Sequence, residues 1–307
     1  MTLPGSRSSL RFGLLVTALG GLLFTLDLPL LRLAAADKWT MVFVRGIFLF
    51  LSISISWLAV RFYRRSNEPF IAGWAGLAVI GTNTLANIAY IRASVETHAA
   101  NVVFILALVP TLTAIFSRIF IREKSGLFTW LAAILSFVGV FIIVRDGLHS
   151  DKLVGDAFAF VCACCTAAAF TIIRASGKNV ATSLGLGSLM SALVAVAFFP
   201  VHLESLLPVS NLGMPGWVWL VLNGLVVIPI ASTLIANGPR YLPSVDVSMF
   251  FLLETVLTPV WVWMLFGEAP STNVLIGGAV IILTLFAHSS WRLHQGLKVQ
   301  NAPIYHD

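Results

Sequence analysis

Ten apolar runs, each close to the length of one membrane crossing, fill this 307-residue chain. They cover about residues 12–32, 39–60, 70–92, 97–118, 126–145, 154–174, 182–201, 215–237, 243–266 and 270–290. A helix needs roughly 20 residues to cross the hydrocarbon core, and the intervals between the runs are too short for a soluble domain. The chain is 58% hydrophobic and 10% charged, whereas soluble domains average about 25% charged residues. A membrane barrel would show strands of about ten residues with strict alternation; "LFTWLAAILSFVGVFIIV" from residue 127 is continuous instead. The expected fold class is an all-α membrane protein of ten transmembrane helices.

The charges orient it. With the N-terminus in the cytoplasm, 13 of the 19 lysines and arginines fall on inside segments. Five fall outside (Arg32, Lys38, Arg92, Arg145 and Lys152), and Arg45 lies within the second helix. The positive-inside rule then places both termini in the cytoplasm. The net charge of +6 needs no nucleic-acid partner. Two arginines, an apolar run and "AAAD" at 34–37 resemble a signal peptide, but the run exceeds the usual 7–15 residues and contains Asp27, Pro29 and Arg32, so a retained helix is expected. The three cysteines of "CACC" (Cys162, Cys164 and Cys165) read as small apolar packing. Neither disulfide nor metal spacing follows from them, and no cofactor is expected.

The chain also repeats itself. "LVPTLTAIFSRIFIREKSGLFTWLAAIL" from 108 aligns with "LETVLTPVWVWMLFGEAPSTNVLIGGAV" from 253 at a shift of 145 residues, which places Glu123 on Glu268. "LFTLDLPLLR" from 23 aligns with "AFTIIRASGK" from 169. Five helices per copy is an odd number, so the second copy enters the membrane upside down, with Glu123 at a cytoplasmic turn and Glu268 at an external one. The expected organisation is a first five-helix repeat at 1–148, a second, inverted one at 149–291 and a cytoplasmic tail at 292–307. Inverted repeats are a recurrent transporter design, with the substrate site near the midplane between the halves.

These features resemble the drug/metabolite transporter superfamily, in its EamA-type ten-helix branch. The resemblance rests on the repeat and on a loose motif: Pro110 and Glu123 before "LAAILSFVGVFIIV", echoed by Thr255 and Glu268 before "LIGGAVIILTLFA". The second copy departs from the pattern, since Thr255 stands where proline is expected and a proline follows at Pro259. The aromatic amino-acid exporters of bacteria are a close match in style. The resemblance implies a secondary transporter, working as a monomer in the inner membrane, that exports amino acids or similar metabolites by alternating access. Lipophilic cation or drug efflux and sugar or nucleotide-sugar transport stand as alternatives.

Candidate site residues follow from polarity at depth. Pro29, Pro110, Pro229 and Pro259 each invite a helix break, and a freed carbonyl in lipid must face protein or a wet cavity. Asn83, Asn87 and Tyr90, at i, i+4 and i+7, share one helical face. They are candidates for contacting substrate or for binding a neighbouring helix. The repeat places Ile228, Ser232 and Ile235 in the corresponding positions. Asp27 and Arg45 both lie on the order of 7 Å outside the midplane at 1.5 Å rise per residue, as a buried ion pair or gate requires. Unpaired, Arg45 becomes the candidate for gripping a substrate carboxylate. Asn101 corresponds to Asp246, and the two are candidates for the ends of the route; Asp246 also suits a helix start. Glu254 stands alone in "FFLLETVLTPVWVWMLF" as the candidate coupling carboxyl, with a protonated structural hydrogen bond as the other reading. Trp261 and Trp263 are placed to narrow the exit. No H-E-x-x-H, G-x-S-x-G or P-loop pattern is present, and the six histidines are expected away from helix centres, so an enzyme is not expected.

Overall fold

The computed structural model describes residues 7–64, 70–97, 99–122, 126–144, 153–267 and 272–300. The repeat anchors Glu123 and Glu268, together with Arg145, Lys152 and the end of the chain from 301, lie outside the described residues. Helix follows every apolar run. In chain order the helices are α1 (Arg7–Phe24), α2 (Asp27–Ala34), α3 (Lys38–Arg64), α4 (Trp74–Glu96), α5 (Ala99–Leu106), α6 (Val109–Phe120) and α7 (Leu127–Val144). They continue with α8 (Leu153–Ser176), α9 (Ala181–Phe198), α10 (Gly216–Leu222), α11 (Ile228–Asn237), α12 (Ser244–Met249), α13 (Leu252–Phe266) and α14 (Thr272–Gln300). Among the described residues, six helical stretches are long and apolar enough to cross a membrane, and three shorter apolar ones accompany them. The 23-residue α4 has the length but carries a polar face. Large apolar side chains such as Phe62, Trp74, Phe120, Leu127 and Phe286 cover the outside, as a lipid-facing surface requires.

Four apolar runs are broken into two helical pieces. Three of the breaks sit just before a proline: Pro29 in the first turn of α2, Pro110 in that of α6 and Pro229 in that of α11. Proline lacks the N–H that the preceding turn needs. The freed groups are answered by other helices. Thr258 and Trp261 of α13 donate to the carbonyl and hydroxyl of Thr25 at 3.3 and 2.8 Å. Ser52 of α3 donates to Leu225 O at 2.7 Å, inside the π-helical turn Asn223–Val227 that joins α10 to α11. Trp261 is therefore occupied with the α1–α2 break.

The fourth break differs from expectation. α13 runs through position 259 without interruption, and the chain bends at Phe250–Phe251 instead. Consecutive i→i+3 bonds tighten that bend, Phe250 N to Val247 O and Phe251 N to Ser248 O among them. Gly21 of α1 packs on the Phe250 carbonyl, where a Cβ would lie 2.9 Å from the oxygen. A close backbone approach, with no proline present, shapes this bend.

Helices from the two sequence halves interleave. α4 packs on α8, α3 on α9, α7 on α14, α1 on α11 and α6 on α12. Shifting each partner by about 145 residues carries α3·α9 and α7·α14 onto themselves and exchanges α4·α8 for α1·α11. α3 and α9 cross antiparallel: Gly46 meets Ser188 and Ala192, and Gly185 meets Ile53. α7 and α14 are antiparallel as well, since Gly139 lies against Gly277 and Ile281 while Thr129 reaches His288.

Candidate functional site

Between the halves lies a cavity of about 160 Å³, walled by α2, α3, α4, α8, α9, α11, α13, the end of α1 and the α5–α6 and α12–α13 segments. Asn83, Asn87 and Tyr90 face it from α4, and Ile228, Ser232 and Ile235 face it from α11. Asp27, Arg45 and Glu254 also line it. Leu106, Phe170 and Phe251 supply an apolar side.

The polar wall consists of three hydrogen-bonded groups. Arg45 Nη2 donates to Asp27 Oδ2 at 2.6 Å, with both side chains almost fully buried. The other carboxylate oxygen of Asp27 accepts from Asn223 Nδ2 at 2.8 Å. Asp27 sits in the first turn of α2, where an acidic group also gains from the helix dipole. The second group is Tyr90, whose hydroxyl donates to Glu254 Oε1 at 3.1 Å. The two groups adjoin, since the Arg45 guanidinium lies 5.8 Å from the Tyr90 ring centroid, within cation–π range. In the third group, Asn83 Nδ2 donates to Leu184 O at 2.8 Å and Asn87 Nδ2 to Ser188 Oγ at 3.0 Å. Both asparagine amides therefore bind α9 while still bordering the cavity.

Asn101 and Asp246 lie outside the cavity wall. Asn101 Nδ2 donates to both carboxylate oxygens of Asp156 at 2.9 and 3.1 Å, tying α5 to the start of α8. Asp246, in the first turn of α12, approaches His288 Nε2 at 3.6 Å. His288 corrects the expectation for the histidines. It is 7% exposed within α14 and reaches Thr129 Oγ1 at 3.3 Å. A lone histidine three residues before a tryptophan carried no sequence signal of this pairing.

Beyond Tyr90 on α4 lies a cluster centred on Arg92. Its guanidinium pairs bidentately with Glu96, which also accepts from Lys38 Nζ at 2.6 Å. It lies 4.0 Å from the Phe158 ring centroid. Trp39 stacks on Phe199 at 3.5 Å between centroids. Elements from both halves thus meet past the Asp27–Arg45 level. The cavity lining reaches Ile173, Leu184 and Ala236, close to the ends of α8, α9 and α11.

Several residues in or behind the wall gave little sequence signal. Cys162, Cys165, Thr166, Phe170 and Ile173 form one stripe of α8 along the cavity, so "CACC" contributes two thiols to the wall rather than packing alone. Their i, i+3, i+4 spacing is legible afterwards, but nothing in the composition marks them. Asn223, next to Gly224 in an otherwise apolar run, is aimed at Asp27 by the π-helical turn.

A lipid-embedded helical chain, with an apolar cavity between its halves and a few paired charges inside, defines a small-molecule transporter rather than a soluble binding protein. Comparison with known proteins places it further. The chain belongs to the EamA-like transporter family, whose model matches it twice, over residues 11–145 and 153–289. It is 24% identical over 290 residues to an uncharacterised transporter of Archaeoglobus fulgidus, covering 92% of this chain and 97% of that one. It is 25% identical over 198 residues to a protein of Vibrio cholerae named a riboflavin transporter, covering 62% of this chain and 63% of that protein. That match, and one to an uncharacterised transporter of Synechocystis covering 57% of its length, span less than two-thirds of the relatives' own chains. A solved crystal structure shares the fold at a TM-score of 0.75 and 17% identity, covering 94% of this chain and 99% of its own.

Proposed function

We propose that this transporter exports amino acids, apolar and aromatic ones foremost, across the cytoplasmic membrane by exposing its central cavity to the two sides in turn. The observation that carries the reading is the composition of the cavity wall. One cation (Arg45) and two carboxyls (Asp27 and Glu254) stand beside Tyr90 in a cavity whose remaining wall is mostly apolar, which suits a zwitterion with a greasy side chain. Arg45 is the one cation among the described lining residues, so a nucleotide sugar, with its two phosphates, is poorly matched.

The architecture proposed is ten crossings in two inverted five-helix halves, 1–148 and 149–291, with both termini cytoplasmic. Two facts support it. Corresponding helices, α3 with α9 and α7 with α14, run antiparallel, and α4·α8 exchanges for α1·α11 under the repeat. The lysine and arginine distribution supports the orientation. Glu254 is the coupling group: it alternates between holding a proton beside Tyr90 and releasing it as substrate binds, so that a proton enters as each substrate leaves.

Counterflow uptake of labelled amino acids into proteoliposomes, with and without an acidic interior, tests this reading. Riboflavin belongs in the panel, because a relative carries that name. Saturable uptake of aromatic or aliphatic amino acids, stimulated by the gradient, is the expected result. Uptake of riboflavin alone, or of lipophilic cations alone, overturns the substrate assignment.

A further inference from the structure

Arg45 retains an unspent donor inside the protein. The residue is 6% exposed and lines the cavity, yet its Nη1 is buried with no hydrogen-bond partner among the described residues. A guanidinium offers five N–H donors in a planar fork, and leaving a charged donor unmatched in a buried site is costly. Asp27 occupies only Nη2 of that fork and spends its second oxygen on Asn223. Asp27 and Asn223 therefore hold Arg45 in place without satisfying it. The fork suits a carboxylate, which can take two parallel N–H bonds.

We propose that Arg45 anchors the carboxylate of the transported solute. The solute's amino group then faces the Tyr90–Glu254 pair beside it, and its side chain lies against Leu106, Phe170 and Phe251. This rests on the cavity being the transport site for amino acids. A competing partner for Nη1 exists: a neighbouring void of about 10 Å³, bordered by Arg45, Asn87, Ser188 and Ser191, is near the size of a single water. A water held there makes Arg45 a structural residue only.

Three matched probes separate these accounts: L-phenylalanine, 3-phenylpropionate (which lacks the amino group) and phenethylamine (which lacks the carboxylate). Their half-saturation concentrations are read from thermal stabilisation of the purified full chain. The variant is Asp27→Asn/Arg45→Gln, which removes both charges together and keeps side chains able to hydrogen-bond each other. The expected result is at least a tenfold rise in half-saturation for both carboxylates, with phenethylamine unchanged. Equal carboxylate half-saturation in variant and native protein overturns the proposal. So does a parallel loss of all three probes, or a native protein that binds neither carboxylate. Should the double variant fail to fold, Arg45→Lys keeps the ion pair and loses the fork. It is expected to weaken the two carboxylates selectively, and unchanged affinity for them overturns the proposal equally. The anchor and the transport reading fail separately. Phenylalanine bound through Arg45 but not exchanged by proteoliposomes sinks amino-acid transport and leaves the anchor. Exchange of phenylalanine that the double variant does not weaken sinks the anchor and leaves transport.

Discussion

Asp27→Ala is expected to lower stability by about 3–5 kcal/mol, the range found when one partner of a buried ion pair is removed. The loss arises because Arg45 remains behind, 6% exposed and charged, without its carboxylate partner. Asn223 also loses the carboxylate that its amide meets at 2.8 Å. The three residues come from α2, α3 and the π-helical turn, so the damage spreads across both halves. Asp27→Asn/Arg45→Gln is expected to recover most of the stability, since it leaves no unpaired charge. Thermal unfolding in detergent reads both variants. An alanine variant that melts with the native protein removes the pair from any structural role.

Glu254→Gln has the largest expected effect on transport. Glutamine keeps an oxygen for the Tyr90 hydroxyl, 3.1 Å away in the native protein, so the local hydrogen bond and packing survive. It cannot exchange a proton. For one proton moved per substrate, each unit of pH difference is worth about 1.4 kcal/mol, or tenfold accumulation. The variant is expected to retain counterflow while losing accumulation driven by an acidic interior. Tyr90→Phe tests the partner: it leaves the carboxyl and removes its donor, so the pH dependence is expected to shift without being abolished. Gradient-driven accumulation by Glu254→Gln equal to that of the native protein makes Glu254 a structural hydrogen bond.

The sequence made different parts of this molecule legible to different degrees. Helix location was legible because an apolar run of about 20 residues has few other uses. The α4 face of Asn83, Asn87 and Tyr90 was legible because i, i+4, i+7 spacing defines a side of a helix whatever it packs against. Proline marked three of the four breaks, while the fourth, at Phe250–Phe251, depends on the approach of Gly21 from another helix. Partner identity was least legible. Tyr90 and Glu254 are 164 residues apart, and depth arguments placed each in the membrane without joining them. Asn101 and Asp246 show the same limit from the other side. Both are polar residues near the start of an apolar run, and the fold brings them to Asp156 and His288, outside the cavity wall.

The central claim is that the cavity between the halves is the transport route. Cys165, half-buried on its α8 wall, is a native reporter for it. In Cys162→Ser/Cys164→Ser protein it is the remaining thiol of the chain's three cysteines. The measurement is the rate at which a small, membrane-impermeant thiol reagent modifies Cys165 in proteoliposomes, with and without a saturating transported amino acid. The account predicts modification in the absence of substrate and at least a several-fold slowing in its presence. A rate unchanged by saturating substrate, in a protein that still transports it, places the route elsewhere and contradicts the account.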